Sequence, residues 1–494
     1  MKEVIKNYNF CNFNYKVQKP CVSKNELLLE DFYNVSASAS GFSPVFGFVN
    51  FYKNIFGEEL FELFKNNYSN LINSTIYITD FEYISQSENN SKAYYFLLDS
   101  EFKLYKLVVL NNSFEVTYLN IQFAGKPEIF KSNGKIYFYL KNDKFIYYNS
   151  NIFITISDFA DIFSITDYLE NTFFVSLNDK YRVYYDARSN IEDFNNNLSI
   201  YDSIEVNADD GEILKLVKFK NNLFVIQQFA ISKIISQGDG YYSSTNCFIK
   251  SKIIENSICE FNDYLIFYST SGLYVFDGNE IKQIFENETE KITQVDEFKA
   301  LLFDNKYYAL AKTRIGEEEK NVLMEFDINS ESFKIFTKDE ILDFYVLKSS
   351  KFYDLIILSK NAENYELLKL DKKCLTTEKK YIKFNKICFD DNISKSLVGI
   401  KTISSGNFNM KISTDKTERI FNSSGELDIS AFGLNGYAFD LEIYSDFEFE
   451  IKSILFRVKT ISEQLWSIKF WIWITKLKSL KDILKMLKNS KVKH

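Results

Sequence analysis

The sequence predicts an all-β fold: a β-propeller of about seven blades, then a small antiparallel β-sandwich and a C-terminal amphipathic helix. Three observations carry this. The chain of 494 residues is 17% aromatic, with 49 Phe and 33 Tyr but three Pro, and flat rings suit a pleated, half-buried surface. Seven apolar runs recur at a near-constant interval. The apolar period then changes near Lys380 and again in the last thirty or so residues. Hydrophobic residues at 46% and charged residues at 26% form a globular composition, which excludes wholesale disorder.

The repeats come first. The runs read AYYFLL from Ala93, KIYFYL from Lys135, TFFVSL from Thr172, LFVIQQF from Leu223, YLIFYS from Tyr264, YYALAK from Tyr307 and YDLIIL from Tyr353. Successive starts differ by 42, 37, 51, 41, 43 and 46 residues, close to the blade period of propellers. Hairpin partners are visible after Phe138, at Phe145–Tyr148, and after Phe267, at Leu273–Phe276. Gly272 and Gly278 supply turn geometry closed to β-branched residues. The segment Gly272, Leu273, Tyr274, Phe276, Asp277 and Gly278 is therefore read as a structural turn motif.

Four regions are expected: an N-terminal arm and connector over 1–70, the propeller over 71–379, the sandwich over 380–461 and a basic tail over 462–494. Within the connector, EELFELFKNN at 58–67 reads as a helix. The sandwich follows from five strand-like runs, with clean alternation in Phe447-Glu448-Phe449-Glu450-Ile451. In the tail, Leu477, Leu480, Leu484 and Leu487 form a helical stripe, and Lys478, Lys481, Lys485 and Lys488 fall off it. Trp466, Trp471 and Trp473 are every tryptophan in the chain. These three Trp and four Leu are expected to dock a partner subunit; a membrane surface and nucleic acid are the other readings of a basic helix.

Charge and composition exclude much chemistry. The one histidine is His494, so the folded body offers none for Ser-His-Asp or Cys-His catalysis or for a His-ligated metal. No P-loop pattern occurs, and GDGYYSST at 238–245 reads as a turn. Sialidase-type Asp-boxes and WD repeats need Trp within the repeats. Asp209-Asp210-Gly211 and Asp390-Asp391 lack the ligand alternation of a calcium loop. No catalytic residue, cofactor or metal is expected, and the chain is read as no enzyme. Cys11, Cys21, Cys247, Cys259, Cys374 and Cys388 are expected as free thiols, with a Cys374–Cys388 disulfide as the alternative. Residues 1–15 have no apolar core, so no secretory leader is expected, and the apolar stretch 465–474 is too short to span a bilayer. The net charge is −8. Residues 463–494 hold eight Lys against two acids, an excess of six, which leaves −14 on the rest.

Three stretches stand out together: LLLEDFYNVSASASGFSPVFGF at 27–48, the segment 223–284 that contains S-x-x-G-L-Y-x-F-D-G, and GYAFDLEIYSDFEFEIKSILFRVKT at 436–460. Together they resemble the β-propeller virion proteins of tailed bacteriophages, the tail nozzle, tail-tube and head-stabilisation components. The resemblance covers most of the chain in architecture and carries over no catalytic motif. It implies a viral tail or portal-vertex structural protein in the virion, assembled in the host cytoplasm and serving genome ejection. It also implies a homo-oligomeric ring, often six- or twelvefold, around the DNA exit channel. Partners would be copies of itself, portal or tail adaptor proteins, and DNA passing without sequence-specific contact; no membrane is expected. An acidic lining would let the duplex slide. The alternatives are a carbohydrate-binding or receptor-binding propeller and a cellular protein-interaction scaffold.

Overall fold

A computed structural model describes residues 4–9, 29–38, 41–73, 77–86, 90–110, 113–132, 135–140, 143–149, 152–156, 161–187, 194–238, 240–315, 318–330, 332–348, 353–361, 364–387 and 395–460. The chain divides into two units, 47–374 and 1–46 with 375–494.

The first unit is a β-propeller of seven four-stranded antiparallel sheets. Blades 1 to 6 occupy 77–122, 128–155, 162–205, 213–248, 259–284 and 292–336. Blade 7 takes three strands from 340–375 and its outermost strand, Phe46–Asn50, from before blade 1. This closes the ring: the chain's first propeller strand completes its last sheet, so neither terminal blade is left as an open end. The seven apolar runs of the sequence are the second strand of each blade, for example Lys135–Leu140 and Tyr264–Ser269. These strands sit inside their sheets and are covered on both faces, so Phe224, Val225 and Ile226 in succession are buried. Continuous burial explains why they read as unbroken apolar runs.

Two devices repeat. The hairpin between first and second strands turns on Lys220-Asn221 in blade 4 and Asp304-Asn305 in blade 6, all four with φ between 48° and 58°. Such turns match the twist of the flanking strands, and Asn and Asp tolerate them. At or near its far end the second strand carries a buried polar residue: Asp99, Ser176, Gln227, Ser269, Thr313 or Ser359. Two of these side chains show how nearby backbone is satisfied. Asp99 Oδ1 accepts from the N–H groups of Glu101 and Lys103 at 2.9 and 3.0 Å, and Gln227 Nε2 donates to Asn207 O and Gly211 O.

Between blades the faces interlock through aromatic cores. Phe96 and Phe138 join blades 1 and 2; Phe224 and Phe276 join blades 4 and 5 at 5.2 Å, edge to face. The blade 7–blade 1 junction also takes three short helices, α1 (Phe51–Phe56), α2 (Glu58–Asn67) and α3 (Ser69–Asn73). Asn50 caps α1 by accepting from Lys53 N–H. Phe51, Tyr52, Phe56, Phe61 and Phe64 face inward against Tyr95 and Leu107 of blade 1 and Tyr345 and Leu358 of blade 7. The helix expected at 58–67 is α2.

The second unit is the β-sandwich. One sheet runs in the order Val35–Ser38, Gly41–Pro44, Phe449–Thr460, Lys395–Gly406, Asp428–Gly436, and Val4–Asn9 also pairs with Phe449–Thr460. The other runs Leu29–Tyr33, Lys380–Ile387, Phe439–Ser445, Phe408–Ser413, Glu418–Ser423. Burial alternates strictly along Phe439–Ser445 and Phe408–Ser413, and Phe42 meets Phe384 edge to face at 5.8 Å between the sheets.

The observed boundaries differ from the expected ones. Strands from 29–44, set apart in the sequence as an arm, belong to the sandwich sheets, and the propeller begins with Phe46–Asn50. Two of them, Val35–Ser38 and Gly41–Pro44, are only four residues long and carry Ser, Ala, Gly and Pro. They carry too little apolar periodicity to announce themselves. In chain order the propeller is thus an insertion: it leaves the sandwich after Pro44 and returns near Leu375. The expected C-terminal helix, with Trp466, Trp471, Trp473, Leu477, Leu480, Leu484 and Leu487, lies outside the described residues.

Candidate interaction site

The turn motif of blade 5 lies where two blades are tied together. Gly272 opens the third strand, Gly272–Phe276, with φ +136°. The backbone angle favours glycine, and a Cβ there would stand 2.6 Å from Gln283 Nε2 and 3.1 Å from Thr289 Oγ1, so the Gln283 amide would have to shift. Leu273 and Phe276 are buried, and Phe276 fills the core shared with blade 4. Tyr274 is half-buried; its hydroxyl shares a hydrogen with Ser271 Oγ at 2.8 Å and donates to Gln283 Oε1 at 3.2 Å. Gln283 Nε2 donates back to Ser271 O. Ser251, Ser269 and Ser271 continue this chain of hydroxyls at 2.6 to 3.2 Å.

Asp277 Oδ1 accepts from the N–H groups of Glu280 and Asn279, both at 2.8 Å. Those two donors hold its carboxyl below the usual value. The turn is then gripped from blade 4: Lys220 Nζ donates to Asp277 O, Asn246 Nδ2 to Gly278 O and Cys247 Sγ to Asn279 O. The Asp277 carboxylate is thus spent on backbone N–H groups, and the Tyr274 hydroxyl on the Ser271 and Gln283 side chains. Cys247, Cys259 and Cys374 are free thiols, and burial pushes Cys259 up to about 12. A thiol so raised is no nucleophile at neutral pH.

Two ion clusters were not visible in the sequence. Asp343, on the innermost strand of blade 7, takes Lys126 Nζ at 2.8 Å and Lys299 Nζ at 2.7 Å. Lys126 precedes the inner strand of blade 2 and Lys299 is on the inner strand of blade 6. The cluster therefore reaches past blade 1 and ties three blades near the axis. Lys299 also donates to Phe344 O at 2.7 Å and lies over the Tyr345 ring at 4.8 Å. Burial alone would raise the Asp343 carboxyl, but Lys299 and Lys126 outweigh it and hold it below the ordinary value. Burial lowers Lys299 despite Asp343. In blade 6, Glu325 is buried between Lys306 at 2.6 Å and Lys334 at 2.7 Å. Burial again pushes its carboxyl up, and the two lysines with the Tyr308 hydroxyl more than reverse this. The partners of Asp343 are 217 and 44 positions away, a separation at which sequence spacing carries no signal.

Among the described residues no group of three or more His, Cys, Asp or Glu converges where a metal would sit, and no helix is long and apolar enough to cross a membrane.

No protein-family profile matches the chain, and no curated protein is similar to it. Several solved structures are similar in part. BamB from Moraxella catarrhalis matches over 70% of this chain and 98% of its own, at 11% identity and a TM-score of 0.35. Hsv2 from Kluyveromyces lactis matches over 54% and 99%, at 9% identity and 0.28. A glycoside hydrolase family 43 arabinoxylan arabinofuranohydrolase from Bacillus subtilis matches over 67% and 95%, at 10% identity and 0.24. Likeness at these scores transfers no role; the propeller stands on the chain's own seven sheets.

Proposed function

We propose that the chain is a non-enzymatic structural protein of a tailed-bacteriophage virion, a ring-forming component of the tail or portal vertex. The observation that carries this reading is the splicing of the propeller into the sandwich. Residues 27–48, the first stretch of the family resemblance, supply sandwich strands and, directly after them, the strand that closes the propeller. Residues 436–460, the third stretch, span two more sandwich strands, one in each sheet. Residues 223–284 supply blade 5 and three of the four strands of blade 4. A propeller joined to a sandwich by two chain crossings suits a part that bears load within an assembly.

The partners in this reading are further copies of the chain and a portal or adaptor protein, with the basic tail docking on a neighbour. DNA would pass through the ring of subunits and not through the propeller, whose axial region is tied by Lys126, Asp343 and Lys299. The −14 charge of the body would keep the duplex from sticking. Mass photometry of the purified chain, alone and mixed with a tailed-phage portal or adaptor protein, tests this. Closed multimers of one fixed stoichiometry are expected; a monomer in every mixture would sink the reading.

One observation favours a second reading, carbohydrate or receptor binding. Along the outer strand of blade 4, Gly240–Phe248, the exposed positions are Tyr242, Ser244, Asn246 and Phe248. Tyr242 is 43% and Phe248 73% exposed, an aromatic, hydroxyl and amide row of the kind that stacks and hydrogen-bonds a sugar. A glycan array decides it: binding lost in Tyr242→Ala with Phe248→Ala supports this reading, and a blank array removes it.

A further inference from the structure

The ring closes where Phe46–Asn50 lies against Asn364–Leu375, the third strand of blade 7. Just past that closing strand, Asn54 stands on α1 and meets blade 7 a second time. Lys369 Nζ donates to its Oδ1 at 3.3 Å. The same ammonium is 2.9 Å from Asp354 Oδ1, on the second strand of the blade, Tyr353–Asn361. An amine, a primary carboxamide and a carboxylate therefore converge from three elements. The register explains how. Lys369 pairs with Ile356, so these two side chains share one face of the sheet. Asp354, two positions before Ile356, shares it too. That face carries Tyr345, Leu347, Ile356, Leu358 and Leu367, which belong to the core between the helices and blade 1. Lys369 and Asp354 sit at its rim, with side chains 21% and 19% exposed, and Asn54 lies on the solvent side.

We propose that Lys369 and Asn54 become joined by an isopeptide bond, which the chain forms by itself with Asp354 as proton carrier. Asp354 takes one proton from the Lys369 ammonium. The freed Nζ lone pair adds to Asn54 Cγ, which is one carbonyl bond, about 1.2 Å, from the oxygen that Lys369 already holds. A second Nζ proton passes by way of Asp354 to Nδ2. The Cγ–Nδ2 bond breaks as the amide to Nζ is completed. Ammonia leaves with the proton first taken, as ammonium, and Asp354 returns to a carboxylate. Nothing is oxidised or reduced, and no further reactant is consumed. Amides resist amines in free solution, but groups fixed beside each other react as if at about 10⁵–10⁸ M. The open side at Asn54 lets ammonia escape, so the step runs one way. The bond would join residues 315 positions apart and enclose nearly the whole propeller in one covalent loop. The closing strand itself offers five residues of sheet pairing. A cross-link beside it constrains the unfolded chain, more so the longer the loop, and keeps the ring shut when that pairing opens. The inference goes beyond the virion reading and stands whether or not the chain assembles.

Intact-mass spectrometry of the denatured full chain reads the bond. The wild type is expected one ammonia lighter than its sequence, by about 17 Da. A digest should yield the peptides of Asn54 and Lys369 as one linked species. Lys369→Arg keeps a cation beside Asp354 but cannot form this bond, and Asn54→Ala removes the carbon it attacks; each should restore the full sequence mass. Asp354→Asn should slow formation about a hundredfold, the worth of a positioned proton carrier, read as the linked fraction against time after expression. A wild-type chain still at full mass after prolonged incubation at neutral pH would overturn the proposal. An asparagine succinimide loses the same mass, so a loss that persists in Lys369→Arg, or a digest that links Lys369 to another residue, would overturn it as well. An unchanged rate in Asp354→Asn would overturn the role given to Asp354.

Discussion

Gly272 shows how one position can be fixed twice, by backbone angle and by neighbours. Gly272→Ala forces a Cβ against Gln283 and Thr289 at φ +136°. We expect a loss of about 1–3 kcal/mol, read from urea unfolding; a loss within error would show that the turn relaxes freely. Glu325 poses the electrostatic counterpart. Glu325→Gln leaves Lys306 and Lys334 facing a neutral amide. Breaking a buried pair costs about 3–5 kcal/mol, but both lysines retain some solvent contact, so about 2 kcal/mol is expected at pH 7. The sign with pH follows from the lowered folded values of Glu325 and Asp343. Their stabilisation is complete above the ordinary carboxylate range, about 4, and is lost as pH falls through the lowered values. The gap between wild type and Glu325→Gln should therefore close toward pH 3; a gap constant down to that pH would contradict the ion-cluster account. Gly272 and Gly278 were legible in the sequence because they bracket one short aromatic run, where glycine marks the turns. Asp343 was not, because nothing local distinguishes it from the many solvated acids.

At the scale of elements, legibility followed burial. The second strands announced themselves because both their faces are covered, which leaves an unbroken apolar run at each blade interval. The first and fourth strands did not: the outer strand of blade 1, Ser113–Gln122, is never fully buried along its ten residues, so its pattern blurs into a loop. The closing strand Phe46–Asn50 was hidden for another reason. Its partner, Asn364–Leu375, lies more than three hundred residues later, and sequence order gives no hint of that pairing. The helices at this junction carry a clear prediction. Phe64 is fully buried and touches Tyr52, Phe56, Tyr68 and Phe114 within 6 Å between ring centres. Phe64→Ala should cost about 3–5 kcal/mol and should raise amide exchange first in blades 1 and 7. Exchange that rises evenly over all blades would show that the helices do not seal the junction.

For the whole molecule, the propeller was legible from period and composition together, while its role rests on a resemblance and on connectivity. Neither the ion cluster near the axis nor the blade 5 turn offers catalytic chemistry, since their polar groups are occupied in holding the fold. The basic 463–494 segment against the acidic remainder supplies a charge asymmetry suited to docking between copies. If assembly uses it, salt should weaken the multimer, because exposed charge pairs are screened beyond about 8 Å at physiological ionic strength. A multimer mass that is unchanged from low salt to 1 M would assign the interface to apolar contacts instead. The central claim is a closed ring of this chain around a channel wide enough for DNA. Cryo-electron microscopy of the full chain, alone and mixed with a tailed-phage portal or adaptor protein, measures that directly. The account predicts end-on class averages of a single rotational symmetry, with the propellers arrayed around an open centre. Averages that show isolated subunits, or filaments without a central opening, would contradict it.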